Sequence, residues 1–585
     1  MRSLRDNFKH RYGWPGHFTA FGLALAGAAA IAGCAQAPVR AERKPAPGQP
    51  LAQIELPTNT PTGHASALLI AAEFALQNND TATAAHDYAE AAELSTNPEV
   101  TLRALDFAIA NQDATGASRL IDRWQALGAD PHELAGARAQ LAMLRGDRAA
   151  AEKQFGILLA SGDADDWKTF ATDLLGARDG ALAGTVLEDL ATPARLPADE
   201  SVWVALSQLG EHLGRHAFAR KLADAAVRRF DGPDSIRWAA SLRMAAGDRD
   251  GALALYAKGV RARPHNVDLR LGYASLLGDQ GKYSRALKVL ARGPQTSATW
   301  SARVAFAARA KDDAALRRLY AQLQHAPEAQ RAGNVFLLGQ LAELLKHDHA
   351  ALRWYGDVDS DSKHAFEARV RSVVLLDKTG QHAAAHTLAQ QLEQNYADDP
   401  DSVRTAYEVD AQLYSVHGEH AKAIATYKRG LAVLPNDPGL LYDRGIEEAS
   451  SGNTDAALAD FRRVLKLKPG NVEAMNALGF TLADANRDLP EATKLLKQAL
   501  AAKPDEAAIM DSWGWLQYRL GHFGKAESWL SRAWNKGADP DVGVHLGEVL
   551  WKLGQHQRAR KVFAKVRALD PRNAALRRAE GKLHP

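Results

Sequence analysis

The residue with the most definite chemistry in the sequence is Cys34, the only cysteine among 585 residues. A single thiol excludes disulfides within one chain and metal cages that need two or more thiolates. The thiol follows a basic segment, an apolar run from Phe18 to Ile31 and the small residues Ala32 and Gly33. This order is typical of a secretory signal, so the chain is expected to leave the cytoplasm.

The residues Ile31–Cys34 resemble the bacterial lipobox, in which the cysteine becomes the acylated first residue of a lipoprotein. The alternative is an ordinary signal peptide that contains a cysteine. A retained membrane span is disfavoured, because the apolar stretch of about 13 to 15 residues is shorter than the roughly 20 that cross a bilayer. In Gram-negative lipoproteins, the lack of an acidic residue in Ala35–Ala37 implies the outer membrane. We therefore expect a lipid anchor at Cys34, on the periplasmic side.

Compact catalytic motifs are absent from the sequence. It contains no His-Glu-x-x-His, Gly-x-Ser-x-Gly or Gly-x4-Gly-Lys-Ser/Thr pattern, which are common signatures of zinc proteases, serine hydrolases and phosphate loops. The nearest phosphate-loop mimic, Gly521–Ala526, lacks both the spacing and the hydroxyl and falls on a predicted inter-helix turn. We predict no catalytic residue, no cofactor and no enzymatic activity.

Candidate metal sites are also incomplete in the sequence. The run Asp357–Asp361 begins like a calcium loop, but Ser362 stands where glycine is needed and Ala368 where a bidentate glutamate is needed. His347 and His349 lie two positions apart near a turn, without a third ligand in view. The twenty histidines are dispersed over the repeats without an obvious cluster, so we predict no metal site.

The elements that must position any functional residue are helices. The chain is 46% hydrophobic and 24% charged, which excludes wholesale disorder, and its residue types favour helix over strand. The formal charge of +3 arises in residues 1–33, which carry four basic residues and one acidic residue, so the remainder is neutral. Because nucleic-acid binders show a basic excess, we predict no nucleic-acid partner.

A sequence repeat runs from about Ser66 to the end, with most steps of 33 to 35 residues. In seven repeats an aromatic residue stands four positions after a small residue that follows a turn, and in five a proline stands twelve positions after it. A Leu-Gly element lies about twelve positions before it. The small residue is alanine in Ala84, Ala117, Ala151, Ala183, Ala219, Ala252, Ala286, Ala315, Ala351, Ala385, Ala423, Ala457, Ala492, Ala526 and Ala559.

This pattern resembles the tetratricopeptide repeat, a hairpin of two antiparallel helices. One hairpin buries too little surface to be stable, so the hairpins must stack. The resemblance implies an all-α protein, a superhelical solenoid of about fifteen hairpins. Glycine and alanine are expected where helices cross closely, the aromatic residue between successive hairpins, and the proline at the end of the second helix.

The repeat and the composition of its flanks predict six segments. Residues 1–33 are the lipoprotein signal peptide, and 34–63 hold the acylated cysteine and a linker whose six prolines disfavour helix. Spacing contracts between 290 and 335, where a kink, a degenerate repeat or a subdomain junction is expected. The other segments are an N-terminal repeat array at 64–290, degenerate repeats at 291–400, a regular array at 401–573, and a capping helix with the C-terminus at 574–585.

Tryptophan is concentrated in the last repeats, where five of the twelve fall within 39 residues. Aligned with the repeat, Trp513 is expected in the core, whereas Trp515, Tyr518 and Trp551 lie near positions that generally line the concave surface. Aromatic residues dominate binding hot spots. We therefore take these three residues, together with Asn476, as candidate partner-binding residues. The alternative is that the aromatic group only packs adjacent hairpins.

A known peptide-binding device of this repeat is not reproduced. In some tetratricopeptide domains, Lys and Asn residues clamp the carboxyl terminus of a bound peptide. The matching positions here are Tyr442, Ile446, Asn476 and Phe480. Recognition of a peptide would therefore use another surface.

The layout of the whole chain resembles a proteobacterial outer-membrane tetratricopeptide lipoprotein, most specifically in Ala474–Ala483, Asp511–Gly521 and His545–Trp551. A characterised relative in that family is an adaptor that binds a periplasmic carboxyl-terminal processing protease and its substrates, which include peptidoglycan hydrolases. The resemblance implies a non-enzymatic adaptor with periplasmic protein partners; it implies no oligomeric state. One alternative is an assembly lipoprotein for polysaccharide export, pilus or secretin, or outer-membrane protein biogenesis. Another is an enzyme hidden between 290 and 335, a stretch too short for most catalytic domains.

Overall fold

The computed structural model describes residues 60–583, and all regular structure in this part of the chain is helical. It divides into two compact units, one ending at Phe306 and one beginning at Ala307. The predicted signal peptide, Cys34 and most of the predicted linker lie outside the described residues. None of the described helices combines the length and the apolar character needed to cross a membrane.

From residue 60 onward, the described part of the N-terminal unit contains seven consecutive hairpins, in which each odd-numbered helix packs on the next even-numbered one. A 3₁₀ turn at Leu159–Ser161 extends one of them, and α15 (Ser297–Arg309) contains the boundary between the units. The hairpin helices are α1 (Pro61–Gln77), α2 (Thr81–Leu94), α3 (Pro98–Ala110), α4 (Ala114–Ala126), α5 (Pro131–Arg145), α6 (Arg148–Leu158), α7 (Ala164–Leu175), α8 (Gly180–Leu190), α9 (Glu200–His212), α10 (His216–Phe230), α11 (Pro233–Ala245), α12 (Arg249–Ala262), α13 (Val267–Asp279) and α14 (Tyr283–Leu290).

The C-terminal unit begins with α16 (Asp313–Gln324) and the short α17 (Glu328–Ala332) and ends with the single helix α32 (Ala574–Leu583). Between them lie seven more hairpins. Their helices are α18 (Val335–Leu344), α19 (Asp348–Gly356), α20 (Ala365–Lys378), α21 (His382–Asn395), α22 (Pro400–Val416), α23 (His420–Val433), α24 (Pro438–Ser450), α25 (Thr454–Leu467), α26 (Val472–Asp484), α27 (Leu489–Ala502), α28 (Ala507–Arg519), α29 (Phe523–Gly537), α30 (Pro540–Lys552) and α31 (His556–Leu569).

Local sequence signals start and end these helices. Many begin after an Asp or Asn whose side-chain oxygen accepts from the first free backbone N–H groups; Asp113 accepts from Thr115 and Gly116 at 3.2 and 2.9 Å. The turn inside a hairpin needs a left-handed residue, which glycine supplies at Gly380 (φ +82°) and Gly418 (φ +78°). The helices on either side of each turn can therefore follow each other within a few residues.

The repeat markers are packed inside the hairpins. Every alanine of the ladder is buried, and all but Ala315 have no exposed surface. The aromatic residue packs on the glycine of its own hairpin: a Cβ added at Gly547 would lie 2.1 Å from the Phe563 ring, and one at Gly445 would lie 2.6 Å from the Phe461 ring. The aromatic residue also contacts the next hairpin in at least two repeats, as expected: ring centroids are 5.3 Å apart for Tyr88 and Phe107 and 4.9 Å apart for Phe155 and Phe170. The predicted all-α fold of about fifteen hairpins is confirmed.

Two observations bear on the ends of the predicted segments. The first helix begins at Pro61, and Thr60 caps it by accepting from the Gly63 N–H at 3.1 Å. Proline is favourable at this position because the first helical N–H has no partner within the helix. The boundary between the two units, after Phe306, falls in the stretch from 290 to 335 in which the sequence spacing contracts.

A buried arginine closes the short helix α14. Arg270 of α13 has no exposed surface, and its guanidinium donates to the carbonyl oxygens of Leu290 at 3.1 Å, Arg292, and Pro294 at 2.5 Å. These carbonyls lie at and beyond the end of α14, where no helical N–H is available to satisfy them. The Arg270 guanidinium thus supplies the hydrogen-bond donors that a further helical turn of α14 would have provided.

Candidate functional site

The candidate partner-binding residues lie on three first helices of consecutive hairpins in the C-terminal unit. Asn476 lies on α26, Trp515 and Tyr518 lie on α28, and Trp551 lies on α30. Contacts join α26 to α28 and α28 to α30, in addition to the contacts within each hairpin. The fold therefore brings the four residues onto one run of adjoining helices.

Trp515 lies inside this run of helices. Only 4% of its surface is exposed, and its indole Nε1 donates to Asp484 Oδ1 at 3.0 Å. The indole stacks on His545, with ring centroids 4.2 Å apart, and on Tyr518, at 4.9 Å. The Arg519 guanidinium carbon lies 4.9 Å from the ring centroid. These contacts tie α26, α28 and α30 together, which is what the packing alternative requires of Trp515.

Tyr518 and Trp551 are half-buried and keep part of their rings accessible. The Tyr518 ring lies 5.6 Å from that of Phe523, and the Trp551 ring lies 4.2 Å from that of His556. The Arg560 guanidinium carbon is 5.6 Å from the Trp551 centroid. An accessible aromatic face beside a cation suits a binding hot spot better than the enclosed indole does.

Asn476 is buried at 1% exposure, and neither its amide nitrogen nor its amide oxygen has a hydrogen-bond partner within residues 60–583. The hydroxyl of Tyr442, at another of the clamp positions, is buried without a partner as well. Burial raises the pKa of Tyr442 and so keeps it a neutral hydroxyl. The remaining clamp positions, Ile446 and Phe480, are buried apolar residues. A carboxylate clamp is therefore absent from these positions.

A buried ion pair that sequence reasoning missed supports Trp515. His545 Nδ1 lies 2.9 Å from Asp511 Oδ1, and both side chains are almost enclosed. Burial opposes protonation of His545, but the Asp511 carboxylate outweighs it and raises the pKa of the imidazole. The two residues are 34 positions apart, about one repeat, so the pairing is visible in the sequence only once the stacking register is known.

A second buried network connects α21, α22 and α23. The Arg429 guanidinium donates to Glu393 at 3.0 Å and to Asp410 at 3.3 Å, and His386 Nδ1 lies 2.6 Å from the other oxygen of Asp410. Desolvation raises the pKa of Glu393 to about 7, although Arg429 opposes the shift. These contacts join neighbouring hairpins.

A cluster of metal-ligand side chains lies at two turns of the C-terminal unit. Asp377 is in the last turn of α20, His382 begins α21 and His417 directly follows α22. One ligand atom from each lies within 4.8 Å of the others. The expectation that the histidines form no cluster is wrong here, because residues about one repeat apart meet at neighbouring turns. The pattern Gly-x-His-Ala recurs at 380–383 and 418–421, but its second histidine is His420 and not the cluster member His417, so this pattern does not identify the cluster.

The structure adds no ligand to the other candidate metal and phosphate sites within the described residues. No third ligand atom joins His347 and His349 at the start of α19, as far as the described residues extend. The run Asp357–Asp361 forms part of the connection between α19 and α20. Gly521 has a φ of +79° and occupies the turn between α28 and α29, as predicted for the phosphate-loop mimic.

Comparison with known families finds matches to tetratricopeptide repeats in both units. The matched residues are 243–311, 411–477, 448–509 and 544–573, together about a third of the chain. The first of these ranges covers the end of the N-terminal unit and extends to residue 311, just inside the C-terminal unit, and the others lie in the C-terminal unit.

Two curated proteins are similar to parts of the chain. A TPR repeat-containing protein of Pseudomonas aeruginosa is 35% identical over 213 residues, which cover 36% of this chain and 35% of the relative. The protein FlbA of Caulobacter vibrioides is 27% identical over 180 residues, which cover 31% of this chain and 28% of the relative. The chain thus matches about a third of the length of each.

Solved structures with similar helical repeats give low overall superposition scores. MamA from Desulfovibrio magneticus is 25% identical, covers 29% of this chain and 95% of its own, and has a TM-score of 0.24. A thermophilic TPR protein of Thermus thermophilus is 25% identical over 30% of this chain and 95% of its own, with a TM-score of 0.27. The APC/C hetero-tetramer Cut9–Hcn1 is 14% identical and covers 90% of this chain and 99% of its own, with a TM-score of 0.29.

The helical hairpins, the buried alanine ladder and the family matches agree with one another. The repeat markers that the family shares are the residues that the structure packs between paired helices. The chain contains tetratricopeptide repeats and is homologous, over about a third of its length, to other proteins that contain these repeats.

Proposed function

We propose that the protein is a non-enzymatic adaptor, anchored through Cys34 to the periplasmic face of the outer membrane, that brings a carboxyl-terminal processing protease together with substrates such as peptidoglycan hydrolases. The observation that carries the proposal is that helical hairpins account for almost all of the chain from Pro61 to Leu583. Such repeats present surfaces to other proteins. The lipobox-like residues Ile31–Cys34 and the resemblance of the C-terminal stretches support the location and the partner.

The surface we assign to a partner includes Tyr518 and Trp551. Both rings are partly accessible on first helices of the C-terminal unit. Trp551 lies beside the Arg560 guanidinium, and Tyr518 interacts electrostatically with Glu548 and Arg519. Truncation of such anchors commonly costs 2 kcal/mol or more of binding free energy. Trp515 has a different role, because its indole is enclosed by α26, α28 and α30.

An adaptor of this kind works without new chemistry. When protease and substrate bind to the same scaffold, the second encounter becomes intramolecular and its effective concentration reaches the millimolar range for short flexible connections. The chain has two compact units, and each has its own run of hairpins on which a partner can bind. The lipid anchor confines both partners to the same membrane surface.

Affinity capture from detergent-solubilised envelopes of the native bacterium tests the proposal. Full-length protein is expected to recover a processing protease and peptidoglycan hydrolases. The double variant Tyr518→Ala, Trp551→Ala should lose at least one of these partners while its melting temperature stays close to that of the wild type. Trp529→Ala is the matched control, since Trp529 is also half-buried beside an arginine, with the Arg532 guanidinium carbon 4.4 Å from its ring centroid, but lies on a second helix.

Two results would count against the proposal. Repeated failure of the wild type to recover a protease or its substrates would reject the adaptor role. Recovery of secretin, polysaccharide-export or barrel-assembly components would favour the assembly lipoprotein instead. Equal losses from Trp529→Ala and from the double variant would reject the surface but leave the adaptor role in place.

A further inference from the structure

We propose that Asp377, His382 and His417 form a binding site for Zn²⁺, with three protein ligands and a fourth position open to water or to a side chain of a partner. The ligand atoms are Asp377 Oδ1, His382 Nδ1 and His417 Nε2. The site is separate from the proposed adaptor surface, so its failure would leave that proposal untouched.

The three ligand atoms lie within 4.8 Å of one another. His382 Nδ1 lies 2.6 Å and His417 Nε2 lies 2.8 Å from Asp377 Oδ1. The two imidazole rings meet edge to face, with centroids 4.5 Å apart and planes inclined by 73°. In a tetrahedral zinc site with bonds of about 2.0 Å, the ligand atoms are about 3.3 Å apart. Coordination would lengthen the two nitrogen–oxygen distances by about 0.5 to 0.7 Å and would bring the two nitrogens to about 3.3 Å from each other.

The fold holds the three ligands from two neighbouring hairpins. Gly380 turns the chain between α20 and α21 in the left-handed conformation, which brings the start of α21 back beside the end of α20. Gly418 does the same after α22. Contacts of α22 with both α20 and α21 set His417 beside the first turn. A bound ion would therefore link the hairpin α20–α21 to the hairpin α22–α23.

Exposure and charge at the cluster suit a cation that arrives from solvent. The Asp377 side chain is 14% exposed, so its charge is poorly screened, whereas the imidazoles of His382 and His417 are 51% and 36% exposed. The adjacent Lys378 ammonium is held 2.8 Å from Asp348 Oδ1 rather than at Asp377. Glu419, which interacts electrostatically with His417, adds a second carboxylate to the neighbourhood.

The donor set selects the class of metal. Two imidazoles and one carboxylate favour zinc and its transition-metal neighbours, whereas magnesium and calcium prefer oxygen ligands alone. In the metal-free protein the two facing nitrogens can donate hydrogen bonds to Asp377 Oδ1. Coordination would use the lone pairs of these nitrogens, with the ring protons on the opposite nitrogens of the neutral imidazoles.

Calorimetric titration of untagged full-length protein in detergent with ZnCl₂, after treatment with a chelator, tests the site. We expect one tight site per chain that is lost or weakened at least tenfold in His417→Ala. His132→Ala is the matched control, because His132 Nε2 makes a similar contact between hairpins, 2.9 Å from Asp166 Oδ1, without a third ligand. The control should bind Zn²⁺ as the wild type does.

Substitution with Co²⁺ gives an independent readout, since a four-coordinate site produces characteristic visible absorption. Asp377→Asn serves if His417→Ala fails to fold, because the amide keeps the size of the carboxylate while removing its charge; it should lose both the heat and the absorption. Absence of stoichiometric binding by the wild type would overturn the proposal, as would equal binding by His417→Ala and His132→Ala.

Discussion

Single carboxyl groups in the stacked helices have their protonation set by burial, and Asp173 on α7 is the simplest case. Gln140 Nε2 donates to Asp173 Oδ1 at 2.5 Å, while Asp173 Oδ2 is buried without a hydrogen-bond partner. Desolvation raises the pKa of Asp173 to about 6, although the Gln140 hydrogen bond opposes the shift. The fold therefore favours the protonated form of this side chain.

We expect Asp173→Asn to raise the melting temperature at pH 7.5 and to have little effect at pH 4. The unfolded chain ionises this carboxyl near pH 4 and the folded chain near pH 6, so ionisation destabilises the fold increasingly between these values and fully above them. The full effect is at most about 3 kcal/mol. The amide oxygen of asparagine can still accept from Gln140. Thermal unfolding followed by circular dichroism from pH 4 to 7.5 measures the change.

The control for this experiment is Asp165→Asn on the same helix, where the carboxylate is 86% exposed. Its melting temperature should differ little from that of the wild type across the pH range. A stabilisation by Asp173→Asn that does not vary with pH, or a loss of stability at pH 7.5, would contradict the assignment.

The solvent exposure of individual side chains at the candidate site was the property that the sequence predicted least well. Trp513 and Trp515 lie two positions apart, about 200° around a helix. The repeat alignment placed Trp513 in the core and Trp515 near the concave surface, but Trp513 is half-buried and Trp515 is only 4% exposed. The alignment could not show that His545 of the next hairpin covers Trp515 at 4.2 Å. The same holds for Asp377, His382 and His417, which become neighbours only through the stacking of hairpins. Contacts between residues one repeat apart depend on how successive hairpins are aligned, and no short sequence pattern specifies this alignment.

Helix α14 illustrates how an element shorter than its neighbours is stabilised. It spans only Tyr283–Leu290, and the chain that follows contains carbonyl groups that a longer helix would have paired. The guanidinium of Arg270 satisfies three of them from inside the N-terminal unit. A buried charge of this kind is tolerated only because its partners are fixed around it.

Arg270→Met should therefore destabilise the N-terminal unit strongly. Methionine fills much of the volume but cannot donate to the carbonyl oxygens of Arg292 and Pro294, and a hydrogen bond from a charged group typically contributes about 1.5 to 3 kcal/mol. Urea unfolding measures the free energy, and hydrogen exchange should show faster exchange around residues 283–296 than elsewhere in the unit. Arg243→Met is the control; its arginine forms a part-exposed pair with Asp224 at 3.0 Å, expected to contribute below about 1 kcal/mol. Equal effects of the two substitutions would contradict the role of Arg270.

Helices and hairpins were predictable because each repeat carries its own packing signal. The alanine at a helix crossing and the glycine under an aromatic ring are required wherever two helices of a hairpin approach closely, as at Gly547 and Phe563. The closure of α14 was not predictable, since the partners of Arg270 come from an irregular segment about 20 residues later.

For the molecule as a whole, the main prediction is that a lipid on Cys34 attaches it to the membrane. Cys34 precedes the described residues, and the lipobox resemblance predicts that its thiol is acylated. Cells fed a labelled fatty acid should incorporate the label into the wild type and not into Cys34→Ala. The variant should also leave the membrane fraction, because each buried acyl methylene contributes about 0.8 kcal/mol to anchoring. A labelled Cys34→Ala protein would overturn the anchor.

The alanine ladder has a consequence for how such a chain can change over evolutionary time. The same buried alanine recurs in every repeat. Duplication or deletion of one unit of about 34 residues therefore keeps the same type of helix crossing on both sides of the event. Side chains on the outer faces of the helices are not held by this constraint and can be exchanged independently. The ladder therefore allows lineages to alter the number of hairpins, and with it the length available for docking, without redesigning the interior.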